Sequence, residues 1–302
     1  KKNIGLAGRA TYSYDSRYFF EFNFGYNGSE NFSPKKRFGF FPSYAVGYVI
    51  SNEKFWEPLT PYVSLLKLKA SYGEIGNDQI GGNRRFAFNT EMSTGQAGYI
   101  WGHNYGAHAP TGIATGTPGN ENVSWEKAIK KNVGVEFGFL NSALNVYLDY
   151  FYEKRSGIYI LQQSIPTVVG NNVQQYVNLG SMRNQGIDAT VEFNKQFGDW
   201  FVSARGNMSY NRNRKVYDDR PTPIWPYQSE AGFAYLQQRG LIALGLFESE
   251  EDIANSPVQT FGGTVRPGDI KYKDINGDNI IDAYDRVAIG YTQIPEINYG
   301  FG

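Results

Sequence analysis

Between Asp274 and Asp285 the chain sets oxygen-bearing side chains at the spacing of a calcium-binding loop. Asp274, Asn276, Asp278, Asp282 and Asp285 take positions 1, 3, 5, 9 and 12, and the carbonyl of Ile280 takes position 7. A hard cation needs roughly six to eight oxygens at about 2.4 Å, and a tight loop with this spacing can wrap them around one point. Two residues depart from an EF-hand. Asn279 stands at position 6 where Gly is usual, although Asn tolerates the left-handed conformation, and Asp285 is one carbon shorter than the usual Glu. The flanks read as strand rather than helix. The expected cofactor is Ca2+; the alternative is a surface loop whose Asx side chains satisfy their own backbone.

A second chemistry is suggested by aromatic residues in irregular stretches. Tyr99, Trp101 and Tyr105 lie in one long interval, and Trp225 and Tyr227 in another. The apolar face of a sugar ring stacks on such rings, so these five are candidate ligand platforms. They would equally serve to pack loops against each other or against a partner. Arg84 and Arg85 lie nearby, but exposed arginines need no ligand to explain them. His103 and His108 are the only histidines, and two imidazoles without a thiol make a poor zinc site. Glu248, Glu250, Glu251 and Asp252 read as a solvated acidic helix face rather than a glycosidase pair. No Gly-x-Ser-x-Gly elbow, phosphate loop or His-Glu-x-x-His occurs, so nothing anchors an enzyme.

The elements that must position these residues are strands. Tyr18, Phe20, Phe22, Phe24 and Tyr26 share one face of an extended segment, while Glu21, Asn23 and Gly25 share the other. The same alternation runs through residues 4–13, 64–73, 133–139, 144–152, 187–194 and 202–210. Residues 37–51 read as a further strand, weakened or bulged at Pro42. Connections near Asp15, Asn141 and Gly198 are tight, whereas the intervals 76–122, 162–183 and 211–240 are long and irregular. Short turns alternating with long loops, between segments long enough to cross a bilayer when tilted, are the pattern of a membrane barrel. In such a barrel the Tyr18–Tyr26 aromatics face lipid, and Glu21 and Asn23 face the lumen. Aromatic residues near strand ends suit an interfacial girdle. Ser249, with Asp252 three residues on, predicts a helix start.

Composition narrows the classes further. The 302 residues carry 29 Lys+Arg and 29 Asp+Glu, so no net field favours nucleic acid. With 23 Tyr, 21 Phe and 35 Gly, the chain suits strands and turns. It has no cysteine, which excludes disulfides, thiolate metal sites and cysteine nucleophiles. No run of apolar residues is long enough for a transmembrane helix. Nor do internal repeats suggest a propeller.

Several blocks resemble the SusC/RagA-like family of TonB-linked outer-membrane receptors. They are Pro267-Gly-Asp-Ile-Lys-Tyr-Lys-Asp-Ile-Asn-Gly-Asp278, Leu66-Lys-Leu-Lys-Ala-Ser-Tyr-Gly-Glu-Ile-Gly-Asn77, Asn122-Val-Ser-Trp-Glu-Lys127, Asn132-Val-Gly-Val-Glu-Phe-Gly138, Asn184-Gln-Gly-Ile-Asp188 and Gly245-Leu-Phe-Glu-Ser249. The resemblance implies an all-β, antiparallel transmembrane barrel of about 22 strands with a plugged lumen and long extracellular loops. It also implies import of oligosaccharides, or peptides in some members, with a SusD-like surface lipoprotein and TonB as partners. No plug, TonB box or signal peptide is recognisable, so residues 1–302 are expected to be one portion of such a barrel, unable to close alone. The rival expectation is a secreted all-β glycan-binding or adhesion module with a calcium-ordered loop.

Overall fold

The computed structural model describes residues 2–80, 85–99, 110–166, 168 and 175–302. They form two compact units. Residues 1–211, 216–220 and 297–302 make the first, and 212–215 with 221–296 make the second.

The first unit is built on strands β1 (Asn3–Tyr14), β2 (Tyr18–Ser29), β3 (Phe38–Val49) and β4 (Val63–Asn77). A separate hairpin follows, β5 (Met92–Ala97) with β6 (Thr111–Thr115). Then come β7 (Glu126–Phe139), β8 (Leu144–Leu161), β9 (Tyr176–Phe197) and β10 (Trp200–Tyr217). With β17 (Ile297–Phe301), the strands other than the hairpin make one nine-stranded sheet, in the order β1-β2-β3-β4-β7-β8-β9-β10-β17. Sequence neighbours pair antiparallel, so successive connections fall at opposite ends of the sheet. Residues 15–17, 140–143 and 198–199 close one end tightly. Strands β2, β4, β8 and β10 run out at the other end, where the longer connections begin.

Because side chains alternate and the register is unbroken over long stretches, each face has one character. Tyr12, Phe20, Val46, Ala70, Val133, Tyr150 and Ile187 form one row across seven strands. Their rings and branched chains lie open: Phe20 is 45% exposed, Val46 52%, Val133 61% and Ile187 45%. Cross-strand stacking continues the face, with the Tyr18 and Tyr48 rings 5.0 Å apart and Tyr26 and Phe38 5.2 Å apart. The opposite face is polar and ionic. Lys69 Nζ lies 3.2 Å from Glu136 and 3.0 Å from Asp149, Lys67 lies 3.4 Å from Glu136, and Arg9 lies 2.7 Å from Glu21.

The Lys69–Asp149 pair spans two strand spacings, from β4 to β8. It does so over Gly134 of β7, which stands between them in register. A Cβ at Gly134 would collide with both the Asp149 carboxylate and the Lys69 stem. The glycine is therefore a gap through which the ion pair reaches.

Four expectations need correction, one of them in the interval 211–240, where β10 continues to Tyr217 and a short strand occupies Gln237–Gly240. Pro42 does not bulge β3, since it pairs with Phe24 in continuous register, and only the β4 ladder stops beside it, at Ser43. A missing N–H is harmless where no partner strand needs it. The interval 76–122 contains the β5–β6 hairpin, and β9 begins at Tyr176, inside the stretch read as irregular. In both places Gly, Asn and Thr hide a period that backbone pairing does not require.

The first unit's buried apolar cluster lies not on the sheet but at its long-connection end. Phe32, Ile80, Ala87 and Val123 pack there, with Trp125 and Tyr159 against them. The Trp125 indole N–H donates to the Arg37 carbonyl at 3.1 Å. Asn178 of β9 holds the same region: its amide donates to the carbonyls of Ser124 and Gly157 and accepts from the Ser124 N–H.

In the second unit, β11 (Gln237–Gly240) pairs with β16 (Val287–Thr292), and β12 (Ala243–Leu246) with β14 (Ile270–Tyr272). The two-residue strands β13 (Val258–Gln259) and β15 (Ile280–Ile281) run parallel. Helix α1 (Glu250–Ala254) starts where expected, with Ser249 Oγ accepting from the Asp252 N–H at 3.2 Å. No helix among the described residues is long and apolar enough to cross a membrane, which says nothing of strands.

Candidate functional site

The loop Asp274–Asp285 lies in the second unit, and its side chains fix its path. Asp274 accepts from the N–H groups of Gly277 and Asn279 at 2.6 and 2.8 Å. Asn276 accepts from the Asp278 N–H, and Asp278 from the Ile280 N–H. Asp285, fully buried, accepts from Ile275 and Asp282 at 2.8 and 2.9 Å, while Asp282 caps Tyr284 at 2.6 Å. Asn279 adopts φ +63°, the left-handed conformation that position 6 of such a loop requires. Ile281, one residue beyond the position-7 carbonyl, is completely buried and pins the loop to β13.

These bonds are those of an Asx-rich turn, and as they stand no three His, Asp or Glu side chains among the described residues gather around a metal-sized point. Each carboxylate oxygen nevertheless has a second lone pair, so holding the backbone does not exhaust the donor set. The carboxylates also act on a neighbour. Burial raises the Tyr227 phenol above its ordinary pKa, and the charges of Asp285, Asp278, Asp274 and Asp282 add to that shift.

Trp225 and Tyr227 stack on each other, rings 6.3 Å apart and 13° from parallel. The Tyr227 hydroxyl donates to the Tyr284 carbonyl at 2.8 Å, joined there by the Gln228 amide. Arg239 braces this segment from below, donating to the carbonyls of Tyr227 and Ser229. The Tyr227 and Gln228 bonds thus tie this segment to the acidic loop, and Trp225 remains partly open. Tyr99, 72% exposed, belongs to the first unit. Trp101, Tyr105, His103, His108 and Arg84 lie outside the described residues. Glu248, Glu250 and Glu251 are exposed around α1, and Asp252 pairs with Lys271 at 2.7 Å. The Lys271 hydrogen bond, then the Glu248 N–H, holds the Asp252 carboxyl below the usual range. It is a structural group.

Sequence reasoning missed the Asn178 clamp and the Gly134 gap. The second left a trace, an isolated glycine on the polar parity of a strand; the first left none.

An uncovered apolar sheet face, backed by an ionic face and with its long connections at one end, defines the wall of a membrane-spanning β-barrel. In the first unit the apolar parity ends at Tyr72 and Tyr152, and the next residues of the same parity are Glu74 and Lys154. Hydrocarbon gives way to headgroups at such a ring of tyrosines.

The family model described as TonB dependent receptor-like, beta-barrel matches residues 1–297, and the chain belongs to that family. Its relatives include TonB-dependent receptor P26 of Formosa agariphila, 28% identical over 97% of this chain and 29% of that protein. TonB-dependent receptor SusC of Bacteroides thetaiotaomicron is 32% identical over 70% of this chain and 20% of that protein. Among solved structures, one described as the RagAB peptide transporter superposes with a TM-score of 0.73 at 22% identity, over 99% of this chain and 31% of that chain. The chain thus spans less than a third of the length of these relatives. Members of the family are outer-membrane receptors and transporters, not enzymes. This placement sets aside the secreted module, and the aromatic face of β2 is a lipid face.

Proposed function

We propose that this chain forms part of the wall and outward loops of a SusC-like channel importing oligosaccharides, with peptides as the alternative cargo. TonB energises the import, and a SusD-like surface lipoprotein closes over the outer mouth. The observation that carries this reading is the 32% identity to SusC, on a sheet whose long connections gather at one end. The name of the RagAB structure supports the peptide alternative. Tyr99, Trp101, Tyr105, Trp225 and Tyr227 contribute stacking surfaces for the cargo. Calcium binds the loop through Asp274, Asn276, Asp278, the Ile280 carbonyl, Asp282 and Asp285; the αL turn at Asn279 and the buried Asp285 support this assignment.

Uptake of labelled oligosaccharides and oligopeptides by cells carrying the intact receptor, against a deletion strain, tests the reading. Saccharide uptake lost on deletion supports it, peptide uptake alone selects the alternative, and uptake of neither overturns it.

A further inference from the structure

Antiparallel neighbours can be joined by as few as about two residues. At the tight end of the sheet three connections come close to that minimum, but β3 and β4 are joined by residues 50–62. This connection is ordered by two short 3-10 helices, Ile50–Asn52 and Lys54–Leu59, and by the Trp56 indole N–H, which donates to the Val63 carbonyl at 3.0 Å. It leaves three large apolar side chains open: Phe55 at 66%, Leu59 at 47% and Tyr62 at 74%. Joining the strands requires none of them.

Hydrogen bonds show on which side of the sheet this connection lies. Tyr18 and Tyr48 stand on the apolar face, and both hydroxyls donate to one oxygen of Glu53, at 2.8 and 3.1 Å. Arg17 of the β1–β2 turn holds the other oxygen at 2.7 Å. Glu53 is thus drawn under the lipid face, just before the Lys54–Leu59 helix. The open apolar side chains continue a surface already committed to lipid, and at the same end Leu140, Phe197 and Trp200 are also open, at 57, 49 and 78%. Short turns of such barrels lie on the periplasmic side.

We propose that residues 50–62 form an interfacial foot, with Phe55, Leu59 and Tyr62 seated in the headgroup–acyl boundary of the periplasmic phospholipid leaflet. Amphipathic and aromatic side chains favour that depth, where a ring is dehydrated and a hydroxyl stays wet. The foot fixes how deep this edge of the wall sits, independently of the cargo.

This chain has no cysteine. Phe55→Cys and Leu59→Cys, each spin-labelled in the intact receptor with any other cysteine replaced, can therefore be read singly. The receptor is reconstituted in phosphatidylethanolamine–phosphatidylglycerol vesicles and probed with oxygen and a nickel chelate. Val133→Cys gives the lipid reference and Asn141→Cys the aqueous one. The foot predicts oxygen collisions exceeding chelate collisions at both positions, as at Val133. Chelate-dominated collisions, as at Asn141, would place the connection in water and overturn the proposal. Labels reached by neither reagent would mean that protein covers it, which overturns it equally.

Discussion

The wall and the acidic loop hold their shapes by opposite means. In the sheet of the first unit most residues repeat the role of their neighbours, and Tyr12 to Ile187 form one row because alternation leaves no other choice. In the second unit the loop from Asp274 to Asp285 depends on single side chains, each holding particular backbone N–H groups. The wall should therefore tolerate many substitutions that keep its parity and fail sharply when parity is violated. The loop should fail at individual residues whatever their polarity.

The largest effect expected is a parity violation. Leu148→Arg puts a charge near the middle of the lipid face and should destabilise the folded barrel by about 2–4 kcal/mol. Ser71→Arg, on the opposite face, should change little. Urea unfolding of the intact receptor in vesicles compares them, and equal effects would break the distinction. Next in size is Asp285→Ala, which orphans the N–H groups of Ile275 and Asp282 in a buried site, at a cost of roughly 1–3 kcal/mol. Hydrogen exchange should show opening confined to residues 274–285, and the calcium binding proposed for the parent should be lost when both are read by calorimetry.

Smaller is Gly134→Val, which keeps the strand but blocks the Lys69–Asp149 pair, an effect of about 1 kcal/mol or less. Unfolding of Gly134→Val, of Asp149→Ala and of the double variant isolates the pair, because the valine should cost less once the Asp149 carboxylate is removed. Calcium should also lower the pKa of Tyr227, since a cation offsets the carboxylates that raise it. Titration of carbon-13-labelled tyrosine with and without calcium reads this, and an unmoved Tyr227 resonance would count against the metal.

The smallest effect concerns acid. The Asp252 carboxyl is depressed by Lys271, so its stabilising contribution is present above the unfolded value of about 3.9. It fades as pH falls through the lower folded value. Protection of the α1 amides, taken relative to the intrinsic exchange rate at each pH, should fall over that acid range in the parent but stay constant for Asp252→Asn.

How much of this was legible follows from the same contrast. The β1–β2 hairpin could be read almost to the residue because Tyr18 to Tyr26 alternate with Phe19 as the one apolar exception. Pro42 misled because proline signals a lost hydrogen bond, and sequence does not say that β4 stops pairing at Ser43. The β5–β6 hairpin was invisible, since Met92–Ala97 and Thr111–Thr115 carry only Met92, Ala97, Ile113 and Ala114 as apolar residues, too few to set a dyad pattern. At the acidic loop, ligand spacing was legible, and the αL turn at Asn279 is one that the residue type tolerates. The hydrogen bond from Tyr227 to that same loop was not, because about fifty residues separate them and no local rule joins them.

Alternation protects a sheet against slipping by one residue, which would turn every apolar side chain to the wrong face. It gives no protection against slipping by two, which leaves both faces correct. A two-residue shift of β7 against β4 would set Glu136 or Asn132 beside Lys69 in place of Gly134, filling the passage to Asp149. The absent side chain at Gly134 thus works as a keyway: only the observed alignment of the three strands lets Lys69 reach Asp149, so the even-numbered errors, which hydrophobic patterning cannot see, forfeit that ion pair.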